Sequence, residues 1–508
     1  METSEAAQLL LEDLDPNQRE AATHQRGALC VLAGAGTGKT RAITYRIAYG
    51  VKSGQVAPEN VLALSFTQKA AGELRSRLES LGVRGVEART FHSAALAQVR
   101  HFWPQVMGGE MPRVTPLKAT LLTSAGTRLG ITPSKEQIRD FASEIEWAKV
   151  SLVSPADYAH TARTQARAGV GGLYLERMAD LMQTYEEAKL EAHCLDFEDI
   201  LLVCAGMIDE RQDVARVIRN RYRYFVVDEY QDVSPLQNYL LLRWLGKRRD
   251  LAVVGDAAQT IYSFAGATSD FLTDFKLSYP EAKVVELNRD YRSTPQIVEL
   301  ANQVLSKARS AAGEPLGGTV RLVSQKAPGA KVNWFIAEDD ETEAEEISQR
   351  IVKLVKSGYS PGDIAVLFRT NSQVKQYAMA LSREKIRYVF KRNVGAEAGA
   401  PGDEAASENA VTLMSLHSAK GLEWRAVFIA GASEGLLPVS LAQTAAQIEE
   451  ERRLVYVGIT RAQDLLTISY AKARFAQTAR KREACRFLAE LWPRAGRVRR
   501  ASTGSKHA

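Results

Sequence analysis

The octapeptide Ala33–Thr40, AGAGTGKT, constrains this chain more than any other feature. A strand-like apolar segment, 29–32, precedes it and a helix-like segment, 41–49, follows it. That order is typical of a phosphate-binding loop. Glycines let successive backbone N–H groups point at phosphate oxygens, and the N-terminus of the next helix adds partial positive charge. The sequence therefore predicts a parallel α/β fold that binds and hydrolyses ATP or GTP.

Individual loop positions have separate expected roles. Lys39 would reach the β- and γ-phosphates, and the Thr40 hydroxyl would hold Mg²⁺. Ala33 stands where the pattern usually has glycine, and a small residue suffices there. The other loop residues would also line the phosphates: Gly34, Ala35, Gly36, Thr37 and Gly38. A glycine-rich turn without a ligand is the weaker alternative, because the flanking segments and the GKT triplet both fit the functional pattern.

Length and composition bound the class of protein. A chain of 508 residues with 45% hydrophobic content has room for roughly three or four domains with ordinary cores. No apolar run is long enough to span a bilayer, and the acidic N-terminus does not resemble a signal peptide. Four scattered cysteines form no CxxC pair, which favours a reducing cytoplasm and no zinc site.

The net charge of +6 is unevenly distributed. Residues 471–508 carry eleven lysines and arginines against two glutamates, so the rest of the chain is slightly acidic. Such a tail could contact nucleic acid phosphates without sequence preference, or it could be a solvated end. Charge alone leaves both interpretations open.

The first α/β region is predicted in two pieces, 1–93 and 196–286, in which strand-like and helix-like segments alternate. Between them, residues 94–195 carry apolar side chains at helical spacing, which predicts an inserted helical domain. Its expected helices are 116–129, 136–150 and 173–194.

A second α/β region is predicted over 287–392 and 411–490, without a phosphate-binding loop of its own. Its expected strands are 320–323, 364–369, 411–416, 427–430 and 465–470. Residues 393–410, rich in Ala, Gly and Glu, predict an exposed flexible linker, and 491–508 predict a basic tail. One complete and one empty nucleotide fold in tandem predict two lobes that share one ATP.

Two further segments supply the acids that such chemistry needs. Asp228 and Glu229 end the apolar run that begins at Tyr224. Asp228 would hold Mg²⁺ through water, and Glu229 would orient or deprotonate the attacking water. Gln259 follows the next strand and would sense the γ-phosphate. An isolated acid after a strand is often only a turn residue, but the string VDEYQD is far more specific.

Nine segments occur in a fixed order along the chain: LDPNQ (14–18), AGAGTGKT (33–40), SFTQKAA (65–71), TFHS (90–93), VDEYQD (227–232), GDAAQTIYSFAGA (255–267), LNRDYRST (287–294), LMSLHSAKGLEW (413–424) and EERRLVYVGITRA (450–462). This ordered set resembles the motifs of superfamily 1 DNA helicases, most closely the UvrD, PcrA and Rep group. The resemblance implies two RecA-like lobes, 1A and 2A, with a helical insertion called 1B in the first.

The resemblance also implies roles for single residues at the nucleotide. Gln18 would contact the adenine edge, Tyr291 would stack on the base, and Glu423 would lie on the ribose side. Arg292 and Arg461 would come from the second lobe to the γ-phosphate as arginine fingers. Arg41 would border the nucleotide.

For the DNA track, the resemblance implies stacking and backbone contacts from seven residues: Phe66, Thr90, His92, Tyr262, Phe264, His417 and Ser418. Base–aromatic stacking tolerates any base sequence. Taken singly, the aromatics could belong to the core and the two histidines could be structural. Ala265 departs from the family pattern, in which Arg is frequent.

The larger departure is the short segment 393–410, where relatives insert a whole helical domain, 2B. The resemblance implies a monomeric, ATP- and Mg²⁺-dependent translocase and 3′-to-5′ helicase in DNA repair or replication. It would act on single-stranded and tailed duplex DNA and not at a membrane, with unknown protein partners. Two alternatives are a protein-displacing translocase that scarcely unwinds, and a non-catalytic scaffold that uses ATP as a switch.

Overall fold

The computed structural model describes residues 2–115, 118–165, 167–310, 313–391, 409–475 and 481–493. The chain divides into two compact units, the first from 1–33 and 39–287 and the second from 34–38 and 288–508. Nearly all of the predicted linker 393–410 and most of the predicted tail 491–508 lie outside the described residues.

The first unit is built on a six-stranded sheet. Its strands are β1 (Leu29–Ala33), β2 (Val61–Ser65), β3 (Glu87–Thr90), β4 (Tyr224–Val227), β5 (Leu251–Gly255) and β6 (Lys283–Leu287). They lie in the order β3-β2-β4-β5-β1-β6, and every neighbouring pair is parallel. The short strand β3 was not predicted, because Glu87 and Arg89 interrupt its apolar pattern.

Both faces of this sheet are covered, which explains why its central strands read as continuous apolar runs. In β1, Cys30 belongs to the core on one face, and Leu29 and Val31 to the core on the other. In β5, Val253 and Val254 divide in the same way. The sequence prediction of a parallel α/β sheet is therefore confirmed.

The first unit contains twelve helices of eight or more described residues: Glu2–Glu12, Pro16–Thr23, Lys39–Lys52, Gln68–Ser80, Phe91–Val106, Ala119–Arg128, Lys135–Val150, Pro155–Thr164, Leu175–Glu191, Phe197–Glu210, Gln212–Arg221 and Pro235–Leu245. Within the described ranges, no helix has both the length and the apolar character needed to cross a membrane.

Four of these helices, between Ala119 and Glu191, share a core of their own around Phe141, Tyr158 and Tyr185. Pro155–Thr164 was not predicted, since its few apolar side chains give little periodicity. Its start is fixed locally, because the Ser154 side chain accepts a hydrogen bond from the Asp157 N–H.

A buried charge cluster ties these helices to the start of Phe197–Glu210. Lys149 Nζ lies 2.7 Å from a carboxylate oxygen of both Asp196 and Asp199, and Lys189 Nζ lies 2.5 Å from Asp199. Burial opposes ionisation of Asp196, but the two ammonium groups still hold its pKa below the usual value. Glu186, Asp196 and Asp199 lie close enough to share a metal ion, yet lysines already neutralise them.

The second unit is built on another six-stranded parallel sheet. Its strands are β7 (Asn333–Asp339), β8 (Ile364–Phe368), β9 (Tyr388–Lys391), β10 (Val411–Ser415), β11 (Trp424–Ile429) and β12 (Ala462–Ala473). Their order is β7-β12-β11-β8-β10-β9. Four helices of eight or more described residues accompany them: Pro295–Ser306, Asp340–Lys356, Val374–Arg383 and Ala445–Ile459.

One predicted strand of this unit is wrong. Of the segment 320–323, only Val323 is in a strand, a two-residue strand with Ser324 that pairs with Arg289–Asp290. The edge strands β7 and β9 were missed. In β7 the exposed Ile336 alternates with the buried Phe335 and Ala337, so the apolar pattern does not mark a single face.

Glu343 is an unusual core residue of the second unit. It is 1% exposed, and one carboxyl oxygen accepts hydrogen bonds from the Ser469 hydroxyl at 2.6 Å and the Gly431 N–H at 2.9 Å. Burial raises the pKa of Glu343 to about 7, although both hydrogen bonds oppose the rise. The folded chain therefore favours the neutral acid well above the pH at which an unfolded glutamate ionises.

This burial predicts a pH-dependent stability that Glu343→Gln removes. The native pKa lies above the ordinary value of 4.5, so the contribution is complete below pH 4.5 and is lost as the pH rises to about 7. We expect the variant to gain about 3 kcal/mol over the wild type between those limits. Denaturant unfolding at pH 4.5–8 measures the difference, and Glu345→Gln on the same helix is the control. A difference independent of pH would contradict the prediction.

Candidate functional site

Three predicted site segments of the first unit follow three adjacent strands. The order β4-β5-β1 places the carboxyl ends of these strands side by side. Asp228 follows β4, Gln259 lies in the turn after β5, and Lys39 begins the helix after the β1 loop. In parallel sheets, ligands bind outside the carboxyl ends of the strands. The fold thus brings these chemically distinct groups to one edge.

Thr40 and Asp228 present the expected metal ligands. Thr40 Oγ1 lies 3.5 Å from Asp228 Oδ2. Burial and the neighbouring Glu229 raise the pKa of Asp228 to about 7, while Lys39 and the Thr40 hydrogen bond act in the opposite direction. Mg²⁺ takes oxygen ligands at about 2.0–2.1 Å in octahedral geometry. The 3.5 Å separation is compatible with Thr40 bound directly and Asp228 bound through water, and a bound cation would favour ionised Asp228.

Glu229 occupies a strained backbone position. Its φ is 52°, in the left-handed region that residues other than glycine rarely adopt. Its N–H donates to Asp228 Oδ1 at 2.9 Å, and its carboxylate accepts from Gln231 Nε2 at 2.5 Å. Strain of this kind concentrates at functional sites and persists only where the surroundings hold it. Here Asp228 holds the backbone N–H of Glu229, and Gln231 holds its carboxylate.

Gln259 is held by a buried acid that the sequence analysis did not single out. Its Nε2 donates to Asp256 Oδ2 at 2.7 Å. Burial raises the pKa of Asp256, and Lys39 partly offsets the rise. The signal that could have identified Asp256 is its place directly after β5, equivalent to that of Asp228 after β4.

The first predicted motif forms a helix start. Gln18 is buried and completes a capping box with Asp15, whose side chain accepts the Gln18 N–H at 2.9 Å. Arg41 donates to the Asp13 carbonyl at 2.7 Å and lies over the Tyr45 ring, 5.0 Å from its centre. The adenine contact of Gln18 and the nucleotide contact of Arg41 stay predictions. Ala33 closes β1, and its carbonyl oxygen lies 3.4 Å from Lys39 Nζ.

The loop residues Gly34–Gly38 group with the second unit. The Thr37 hydroxyl donates to the Gly34 carbonyl at 2.8 Å, and the Tyr291 N–H donates to the Gly36 carbonyl at 3.0 Å. Gly36 has φ of 72°, and a Cβ there would lie 2.3 Å from Asp290 Oδ1. Packing therefore favours glycine at position 36, whatever its predicted role at the phosphates. Ala35 is buried in the same loop.

The two predicted arginine fingers lie close together in the second unit. Arg292 forms an ion pair with Glu423 and donates to the Thr460 carbonyl at 3.3 Å. Arg461 is 2% exposed and donates to the Val457 carbonyl at 2.9 Å and the Thr460 hydroxyl at 3.0 Å. Tyr291, the predicted stacking residue, is 45% exposed.

Three predicted DNA contacts form one aromatic group in the first unit. Phe66 stacks on Tyr262 with ring centres 6.0 Å apart, and Phe264 meets Tyr262 edge-on at 6.1 Å. Phe66 is 47% and Phe264 62% exposed. Exposed rings from two separate motifs provide the kind of surface on which bases stack. The structure thus gives Tyr262 a supporting place between two accessible rings.

His92 is placed against a residue that sequence reasoning missed. Its ring stacks on Phe197 with centres 4.2 Å apart. Burial and the nearby Lys118 lower the pKa of His92 to about 4, so the ring is neutral at pH 7. Phe197 is 40% exposed at the start of its helix, and an aromatic at a polar helix start was the available signal. Thr90 caps its own helix by accepting the Ser93 N–H at 3.2 Å.

The remaining predicted DNA contacts lie in the second unit. Burial and the nearby Arg369 lower the pKa of His417 to about 3. Arg369 is paired with Glu451 at 2.7 Å. Ser418 Oγ lies 2.8 Å from Ser415 Oγ at the end of β10. His417 is therefore neutral and packed within the second unit. The contacts of His417 and Ser418 with DNA stay predictions.

Comparison with known proteins gives two adjoining family matches. Residues 14–280 match the UvrD/REP helicase N-terminal domain, and residues 285–394 and 399–473 match the UvrD-like helicase C-terminal domain. The chain is 40% identical to the ATP-dependent DNA helicase UvrD2 of Mycobacterium tuberculosis, covering 96% of this chain and 83% of that protein. It is 26% identical to the ATP-dependent DNA helicase PcrA of Bacillus subtilis, covering 95% and 86% respectively.

These matches agree with the two parallel sheets and with the order of the motifs along them. The family matches imply that the two α/β units are RecA-like lobes. With nearly the whole chain aligned to a relative at 40% identity, the protein belongs to the UvrD/PcrA family of superfamily 1 helicases.

Proposed function

We propose that this ATP-dependent DNA helicase moves 3′-to-5′ along single-stranded DNA and serves DNA repair or replication. The single observation that carries the proposal is the shared edge of β4, β5 and β1, with Lys39, Asp228 and Gln259 at their carboxyl ends. Family membership supplies ATP as the nucleotide and DNA as the substrate.

The groups of the first unit divide the hydrolytic work. Lys39 neutralises the β- and γ-phosphates, and Thr40 and Asp228 would hold Mg²⁺, which supplies charge stabilisation at the phosphates. Glu229 accepts a proton from the attacking water, and Gln259 orients toward the γ-phosphate. The 3.5 Å approach of Thr40 Oγ1 to Asp228 Oδ2 supports the pairing of a loop hydroxyl with a strand-end acid.

The second unit contributes the arginines. Arg292 and Arg461 would neutralise the charge that builds on the γ-phosphate, a role worth on the order of 10³–10⁵ in rate. Both already meet at Thr460 within their own unit, which supports a common target. Loss of the γ-phosphate would remove that target and relax the attraction. Such order-and-release cycles are how nucleotide hydrolysis drives movement.

The rings of Phe66, Tyr262 and Phe264 would stack on the bases of single-stranded DNA. Each base–aromatic stack would contribute about 1–3 kcal/mol to the free energy of binding. Their mutual contacts at about 6 Å support a single continuous platform. His92, Thr90, His417 and Ser418 would add backbone or edge contacts. If the two units hold the strand with different strength before and after hydrolysis, each ATP advances the protein along it.

We further propose that the chain lacks a 2B-like domain at 393–410. The alignment with UvrD2 spans 584 residues, more than the 508 of this chain, so that relative has residues that this chain lacks. The C-terminal family match is interrupted between 394 and 399. The ATP and DNA motifs are present on both sides, which supports retained translocation with altered unwinding.

The phosphate loop gives a sharp test through Gly36→Ala. We expect at least a tenfold loss of DNA-stimulated ATP turnover, because a Cβ would lie 2.3 Å from Asp290 Oδ1 in a loop already at positive φ. Gly54→Ala is the matched control, since Gly54 has φ of 73° with nothing within 4 Å of the added carbon. Steady-state ATPase assays of both variants measure the contrast. Equal turnover in the two would show that the contact does not matter.

A strand-displacement assay tests direction and output together. Labelled duplexes with a 3′ tail or a 5′ tail are incubated with the protein and ATP, and Lys39→Ala serves as the variant without turnover. We expect displacement from the 3′-tailed substrate only. Displacement from the 5′-tailed substrate alone would refute the proposed polarity. An intact duplex from which a bound protein is nevertheless removed would favour the protein-displacing translocase.

A further inference from the structure

Gln231 is completely buried beside Glu229, the proposed base, and no catalytic role has been assigned to it. Its Nε2 donates to Glu229 Oε2 at 2.5 Å and lies 3.3 Å from Asp232 Oδ2. Its Oε1 accepts the backbone N–H of Asp256 at 3.0 Å. The side-chain amide therefore joins the segment after β4 to the segment after β5.

These bonds belong to a longer chain of contacts. Glu229 is bonded to Gln231, Gln231 to the Asp256 backbone, and the Asp256 carboxylate to Gln259 Nε2 at 2.7 Å. The two ends of the chain are the proposed base and the proposed γ-phosphate sensor. In the proposed function, Glu229 and Gln259 both act at the γ-phosphate. The distance between them therefore sets the position of the attacking water.

A glycine at position 255 leaves room for the Gln231 amide. A Cβ on Gly255 would lie 2.6 Å from Gln231 Oε1 and 3.2 Å from the Gln231 backbone nitrogen. Contacts under 3.0 Å require displacement of the neighbour. The last residue of β5 is therefore glycine for a steric reason, namely that the amide crosses the end of the strand at this point.

We propose that Gln231 is a positioning residue for ATP hydrolysis, which aims the Glu229 carboxylate and fixes its distance from Gln259. The inference rests on the proposed role of Glu229 as the base. Glu229 sits at a φ of 52°, and that conformation persists only while surrounding bonds hold it. An amide is suited to this place because one end donates to the carboxylate while the other accepts from the backbone.

Neither close substitute can do both. Leucine has a similar volume but neither donates nor accepts, so Glu229 loses the hydrogen bond from the Gln231 amide and the Asp256 N–H loses its bond to Gln231 Oε1. Glutamate keeps an acceptor for the Asp256 N–H but has no N–H to donate to Glu229. A positioning role therefore predicts a loss of kcat in both variants.

The test measures kcat and KM for ATP in DNA-stimulated hydrolysis. We expect Gln231→Leu to lower kcat about 10- to 100-fold with KM within about threefold, as a misaimed catalytic group would. Gln231→Glu is expected to lower kcat at least as far, because its carboxylate cannot donate to Glu229. Gln237→Ala is the matched control, because Gln237 lies in the same segment but caps the helix Pro235–Leu245.

The outcomes separate this inference from the proposed function. If Glu229→Gln keeps wild-type kcat, the proposed base is wrong and the positioning role falls with it. If Glu229→Gln is inactive while Gln231→Leu and Gln231→Glu keep wild-type kcat, only the positioning role is overturned. Equal losses of kcat in Gln231→Leu and Gln237→Ala, or a loss in Gln231→Leu that a weaker KM for ATP explains, would also overturn it. Gly255→Ala is expected to reproduce the loss by displacing the amide.

Discussion

The candidate site depends above all on the opposition between one lysine and the carboxyl groups that follow two adjacent strands. Asp228, Glu229 and Asp256 follow adjacent parallel strands, and burial raises the pKa of both aspartates. Lys39 is the nearby positive charge that offsets part of this cost in each case. Such an arrangement stabilises the resting fold poorly, but it is suited to a ligand that carries both a divalent cation and a polyphosphate.

The predicted site residues of the second unit are mainly positively charged. Arg292 is paired with Glu423, and Arg461 is held by carbonyl and hydroxyl oxygens. Arg461, which neutral oxygens hold, retains its charge for a further anion, and Arg292 would exchange Glu423 for it. In the proposed function, the first unit would carry the metal ligands and the base, and the second would supply positive charge at the γ-phosphate. Hydrolysis would then change that anion and could drive movement.

Much of this could be read from the sequence, for identifiable reasons. The strand predicted at 364–369 is observed as Ile364–Phe368, because a central parallel strand is apolar on both faces. The phosphate loop and the acids after β4 were visible because their chemistry depends on spacing along the chain. The edge strand Asn333–Asp339 was missed, since its apolar residues lie on the exposed face as well as on the buried one.

What the sequence could not supply were partners brought together by the fold. Phe197 meets His92 across more than a hundred residues, and Asp290 meets Gly36 across more than two hundred and fifty. Gln231 lies inside a motif, but its bond to the Asp256 N–H depends on β4 and β5 being neighbours. Spacing along the chain reveals a residue that acts on a ligand. It does not reveal one that acts through another residue.

The most direct test of the central claim is ATP hydrolysis by Arg292→Ala and Arg461→Ala, measured with saturating single-stranded DNA beside the binding of a non-hydrolysable ATP analogue. Arg321→Ala is the control, an exposed arginine of the same unit. We expect kcat to fall by about 10³ in each variant while analogue binding changes far less. Wild-type turnover in both variants would contradict the claim that the second unit completes the catalytic site.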